Sequence, residues 1–166
     1  MTRFIHTSDW QIGMTRHFLR GEAQARYTEA RLDAIRMIAT VADDVGCAFV
    51  VVAGDVFESN YLDRRTVVRA LDAMGSFVIP LFLLPGNHDP VDASSIYQSP
   101  TFVANCPPHV VVLKTFDPIE VPGTDIAIIG APWDSCVPSK TSWPRPRRPL
   151  PGTADLCLSA TASSTH

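Results

Sequence analysis

The sequence has no CxxC pair, no long apolar run and no excess of basic charge. Its four cysteines, Cys47, Cys106, Cys136 and Cys157, stand far apart, which argues against a zinc ribbon and fits free thiols in a reducing compartment. A membrane-spanning helix needs about 20 consecutive apolar residues, and no stretch approaches that length. Met1 to His6 runs straight into a strand-like segment, without the basic and apolar regions of a signal peptide. The chain is therefore expected to be cytoplasmic, with no membrane partner. A formal charge of −3 provides no general basic field, so contact with nucleic acid would rest on a local patch or on metal ions bridging to phosphate. There is no internal repeat.

What is present is a globular composition, 46% hydrophobic and 19% charged over 166 residues, enough for one domain with a core that needs no disulfide. Residue types are spread unevenly. Five of the 14 prolines fall in residues 137–166, with nine Ser or Thr and a single acid, Asp155. Trp143 to Gly152 is so rich in proline and arginine that neither a regular helix nor a central strand is expected there. Residues 137–166 are read as a disordered or extended tail, and 1–136 as the folded part.

Within the folded part, Arg3 to Thr7 reads as a buried strand that ends at Ser8-Asp9. From about Glu22 to Asp44 the residues Ala23, Tyr27, Ala30, Ala34, Met37, Ile38 and Val41 recur at helical spacing, with Gly46 as a stop. Phe49 to Ala53 is a continuous apolar run closed by Gly54-Asp55, the pattern of a strand buried on both faces. A second helix is expected from Asp63 to Met74, then a strand from Val78 to Leu84 that runs into Pro85-Gly86-Asn87-His88-Asp89-Pro90. Alternating strands and helices argue for a parallel sheet, and ligands of such sheets gather beyond the carboxyl ends of the strands. Val110–Leu113, Ile119–Val121 and Ile126–Gly130 read as further short strands.

Each of three strands thus delivers polar residues to the same sheet end: Ser8-Asp9-Trp10-Gln11, Gly54-Asp55-Val56-Phe57 and Gly86-Asn87-His88-Asp89. Carboxylate, amide oxygen and imidazole suit Mn²⁺, Fe or Zn²⁺, and a shared Asp could hold two ions about 3.5 to 4 Å apart for attack on a phosphate. Each motif alone is common, since Asp after a strand often caps a helix or forms a turn. The ordered trio is far more specific.

His6-Thr7-Ser8-Asp9-Trp10, Gly54-Asp55-Val56-Phe57 and Gly86-Asn87-His88-Asp89 resemble the first three motifs of the calcineurin-like metallophosphoesterases. The resemblance is strongest to their DNA-repair exonuclease branch, the nuclease subunit of bacterial SbcCD and its relatives in double-strand-break repair; Gly130-Ala131-Pro132-Trp133 resembles a further segment of it. This implies an α/β fold of the metallophosphatase type, a sandwich of two sheets flanked by helices (α-β-β-α), here incomplete at the C-terminus. It implies a metal-dependent phosphodiester hydrolase with two divalent ions, Mn²⁺ first among them. Asp9 would bind the first ion, Asp55 would bridge and Asn87 would bind the second, while His88 would contact the phosphate and help the leaving oxygen gain a proton. Asp89 is read as orienting its loop and as a partner for His88. By the same resemblance DNA is the substrate, and an SbcC-like ATPase partner and a homodimer belong to the full-length protein.

Two departures from the family pattern stand out. Gln11 occupies the place where the family usually has a histidine, so the first ion would be held more weakly or through water. The later Gly-His and Gly-x-His-x-His segments are absent, and after Asp89 only His109, read as a surface residue, and His166 remain. Arg16 and His17, in the first loop, are candidate phosphate-backbone contacts; His6 is read as packed in its strand. The change of composition near residue 140 fits a frameshift, with a natural proline-rich extension as the alternative. These features leave three functional readings: a DNA-repair type phosphodiesterase, a small-molecule or nucleotide phosphoesterase, and a non-catalytic fragment with weak metal binding.

Overall fold

The computed structural model describes residues 2–133 and 154–159. Strands β1 (Phe4–Thr7), β2 (Phe49–Ala53), β3 (Leu81–Leu84) and β4 (Val110–Val112) form one parallel sheet in the order β1-β2-β3-β4. Between them lie helices α1 (Glu22–Asp44), α2 (Arg64–Met74) and α3 (Pro100–Asn105). Parallel crossovers are right-handed, so a sheet that grows in one direction keeps its helices on one face. α1 accordingly packs on α2 and α2 on α3. A second sheet, β5 (Ile119–Glu120), β6 (Ile126–Ala131) and β7 (Ala154–Ser159), covers the other face. Among the described residues the layers are helix, sheet and sheet. No helix among them is long and apolar enough to cross a membrane.

The two-residue period of a strand sorts the apolar run of β2 between the two interfaces. Val50 and Val52 join Leu81, Leu83, Leu32, Ile35, Leu71 and Met74 beneath the helices. Phe49 and Val51 join Phe82, Leu84, Leu113, Val121 and Ile128 between the sheets. The sheets approach so closely at Gly130 that a Cβ there would press on Leu113 and Leu84. α2 is capped by Asp63, whose carboxylate accepts from the Thr66 hydroxyl at 2.7 Å and the Thr66 amide at 3.0 Å, bonds that hold its pKa below the usual carboxylate value.

Four sequence readings change. Among the described residues β1 is an edge strand, and it is only half covered, so Phe4 and His6 are exposed where a packed strand was expected. β3 begins at Leu81, with Val78 in the preceding loop and 78% exposed. His109, expected at the surface, is half-buried with Nε2 3.0 Å from the Met74 carbonyl. Part of the tail is regular: Ala154–Ser159 pairs in parallel with Ile126–Ala131, a pairing that the lack of proline beyond Pro151 permits. The rest of the segment 137–166 lies outside the described residues.

Candidate metal and phosphate site

The parallel register places the ends of β1, β2 and β3 side by side, with Thr7 opposite Val52 and Ala53 opposite Leu84. Asp9, Asp55 and Asn87 therefore follow at one end of the sheet. The first two loops continue to bond beyond the strands. The Asp9 amide donates to the Gly54 carbonyl at 3.1 Å, the Gln11 amide to the Asp55 carbonyl at 2.8 Å and the Ile12 amide to the Val56 carbonyl at 2.9 Å. In return the Glu58 amide donates to the Ile12 carbonyl at 3.0 Å. Arg31 of α1 closes the first loop from outside, its guanidinium donating to the carbonyls of Trp10 and Gln11.

This interlock holds an unusual backbone. Among the described residues the non-glycine positions with positive φ are Asp9 (55°), Gln11 (41°) and Asp55 (52°). Left-handed conformations cost L-residues of order 1 kcal/mol each and concentrate at functional sites, where surrounding bonds over-determine them. All three here are candidate metal ligands. The Asp55 carboxylate is buried and that of Asp9 is exposed, with Oδ2 accepting from Ser8 Oγ at 2.5 Å.

The third loop grips the second through two carboxylates in opposite directions. His88 donates its amide to Asp55 Oδ1 at 3.1 Å, and Phe57 donates its amide to Asp89 Oδ2 at 3.0 Å. Asp89 also accepts from the Gly86 amide at 2.7 Å and from the Tyr97 hydroxyl at 2.5 Å. Asp89 is fully buried, and burial pushes its pKa up against the lowering effect of these donors. Trp133 fixes the loop to the second sheet, donating to the Pro85 carbonyl at 3.1 Å and accepting from the Val91 amide at 3.0 Å. Sequence reading found Asp89 as the residue that orients this loop but missed Tyr97, whose only signal is an aromatic residue in a loop.

His88 is half-buried, and its Nδ1 lies 3.1 Å from the Glu58 carbonyl and 3.9 Å from Glu58 Oε1. A carbonyl only accepts, so Nδ1 carries the proton and Nε2 is the ring atom left for a ligand. Glu58, not Asp89, is thus the orienting partner of His88, which corrects the sequence expectation. Arg16 and His17 are exposed in the loop before α1. Arg16 lies beside Tyr27, where it and Arg31 hold the phenol below its usual pKa, and His17 meets Phe18 edge-on at 5.8 Å. Tyr27 and Arg31, with Asp9 and Trp10, line an open cleft of about 430 Å³ along α1.

A model of the calcineurin-like phosphoesterases matches residues 2–148. The chain belongs to that family. It is 31% identical over 90 residues to the DNA double-strand break repair protein Mre11 of Archaeoglobus fulgidus, a match covering 52% of this chain and 19% of that protein. It is 28% identical over 136 residues to SbcD, the D component of the SbcCD nuclease of Bacillus subtilis, covering 78% of this chain and 33% of that protein. The chain thus spans a third or less of the length of these relatives, and its likeness within the family is to the DNA-repair branch.

The donors at the sheet ends fit the hard divalent ions that the family resemblance implies. Asp9 and Asp55 offer carboxylates, and Gln11 and Asn87 offer amide oxygens; among the described residues neither amide side chain has a hydrogen-bond partner. An all-oxygen set of this kind suits Mn²⁺ or Mg²⁺ better than Zn²⁺. The set is open rather than a closed cage: among the described residues no three His, Cys, Asp or Glu side chains form a metal-binding group.

Proposed function

We propose that this site is the metal and phosphate centre of a phosphodiesterase of the DNA-repair nuclease type. The observation that carries the reading is the gathering of Asp9, Gln11, Asp55, Asn87 and His88 at one sheet end, with the three left-handed residues among them. Asp9 and Gln11 would hold one divalent ion, Asn87 the other, and Asp55 would bridge. Bound divalent ions, Mn²⁺ by the family resemblance, would supply Lewis acidity and charge neutralisation at the phosphate. The remaining work falls to the chain itself. His88, fixed through Nδ1, would present Nε2 to a phosphate oxygen and move a proton toward the leaving oxygen. Arg16 and His17 would meet the flanking phosphate backbone. DNA as substrate, an SbcC-like ATPase partner and a homodimer complete the proposal by the family resemblance, together with a cytoplasmic location.

A second reading has a specific observation in its favour. Two carboxylates and two amides are few donors for two ions, which favours a chain that binds metal weakly and does not turn over. Calorimetric titration with Mn²⁺, paired with hydrolysis of linear duplex DNA and of an aryl phosphodiester, separates the readings. Tight Mn²⁺ binding with DNA cleavage supports the nuclease. Cleavage of the aryl ester alone points to a small-molecule phosphoesterase, and no binding rules out catalysis by this chain.

A further inference from the structure

Tyr97 lies outside every motif that the sequence brings forward, yet it ends a hydrogen-bond path into the centre of the site. Its side chain is completely buried, and its ring is fixed edge-on against Phe102 at 5.3 Å and Phe57 at 5.8 Å. Phe102 belongs to α3 and Phe57 to the second site loop, so the hydroxyl is placed by two residues that do not themselves offer metal ligands. From there it donates to Asp89 Oδ2, the same oxygen that accepts the Phe57 amide. The other oxygen of Asp89 takes the Gly86 amide.

Phe57 is two residues beyond Asp55, and Gly86 immediately precedes Asn87 and His88. Asp89 therefore sets the spacing between the backbones that carry the proposed bridging ligand, the proposed second-ion ligand and the phosphate-contacting histidine. The spacing has no slack, since the Asp55 carboxylate and amide press directly on Gly86 and Asp55 Oδ1 also takes the His88 amide. Rotation of the Asp89 carboxylate about its Cβ–Cγ bond would break both backbone bonds, and the phenol, anchored in an aromatic cluster, is the third donor that holds it against such a rotation. We propose that Tyr97, through its hydroxyl on Asp89, is a positioning residue for the metal and phosphate site. The proposal rests on the metal-site reading above.

The probe is Mn²⁺ alone, titrated calorimetrically into the wild-type chain, Tyr97→Phe and Ile128→Ala. Tyr97→Phe keeps the ring and removes only the hydroxyl, whereas Ile128→Ala loosens the separate core between the sheets and leaves the Tyr97 cluster untouched. Residues that orient metal ligands change affinity by about 10- to 100-fold when replaced. Tyr97→Phe is expected to weaken Mn²⁺ binding by about tenfold or more and, in the metal-free chain, to speed amide hydrogen exchange at Phe57 and Gly86. Ile128→Ala, even with an equal or larger fall in Tm, is expected to bind Mn²⁺ within about twofold of wild type. Wild-type binding with no loss in Tyr97→Phe overturns the positioning role while leaving the site reading intact. An equal loss in Ile128→Ala also overturns it, because general loosening would then explain the effect. Absence of Mn²⁺ binding in the wild type overturns both readings together.

Discussion

Gly86 lies directly against the Asp55 carboxylate, with no space for a side chain between them. A Cβ there would meet the Asp55 carboxylate oxygen and amide nitrogen, and neither is the free end of a flexible chain: one accepts from the His88 amide, the other is backbone. Gly86→Ala must move one of the two loops. Overpacking of this kind costs about 1 to 3 kcal/mol, and the proposed ligands on both loops move with it. Urea unfolding is expected to show a loss in that range, and calorimetry a loss of Mn²⁺ binding beyond what lowered stability explains.

Asp55→Asn separates charge from shape. Asn tolerates the left-handed backbone at this position, φ 52°, and its side-chain oxygen can still accept from the His88 amide. Stability is expected to stay within about 1 kcal/mol of wild type. A bridging ligand must be an anion to hold two cations, so Mn²⁺ affinity is expected to fall by about tenfold or more. Unchanged affinity in the folded variant would remove Asp55 from the bridging role.

Local pattern made much of the fold legible. The run Phe49–Ala53 is apolar at every position because its two faces serve two cores, and α1 occupies the span, Glu22–Asp44, that its periodicity marks. Three acids or amides after three strands marked the sheet end at which the site is proposed. The contacts across the chain were not legible. Glu58 becomes the partner of His88, and Tyr97 of Asp89, through pairings over 30 and eight residues that depend on loop paths. The exposure of His6 follows from β1 lying at a sheet edge, a fact of strand order rather than of its own residues. The short helix α3 begins at Pro100 with Ser99 as its cap, a signal too brief to show periodicity.

Gln11 offers a gain-of-function test. Its backbone is held at φ 41° by the Asp55 carbonyl, and histidine is among the residues that tolerate this region best. Gln11→His would replace a neutral amide by an imidazole, a stronger ligand for transition metals. Calorimetry is expected to show tighter binding of Mn²⁺, and still tighter binding of Zn²⁺, with Tm in the metal-free state little changed. If neither metal binds more tightly, Gln11 does not face an ion.

Alkaline pH isolates Tyr97 from the other tyrosines. Burial, and then the negative charge of Asp89, push its phenol well above the ordinary value, with Asp55 adding to the same effect. In the unfolded chain it ionises near pH 10, whereas in the fold it keeps its proton. The folded state therefore binds more protons in this window, and stability is fully present below about pH 10 and falls as pH rises, by about 1.4 kcal/mol per unit from this group. Tyr27 acts in the opposite sense, because Arg16 and Arg31 favour its phenolate, so the measurement is the difference between wild type and Tyr97→Phe. Urea unfolding between pH 9 and 12 is expected to show a steeper loss for wild type than for Tyr97→Phe. In absorbance at 295 nm, Tyr27 should titrate in the folded chain and Tyr97 only as the chain unfolds. Parallel stability curves for the two proteins would mean that the Tyr97 hydroxyl meets water in the fold, and that its hydrogen bond to Asp89 does not hold.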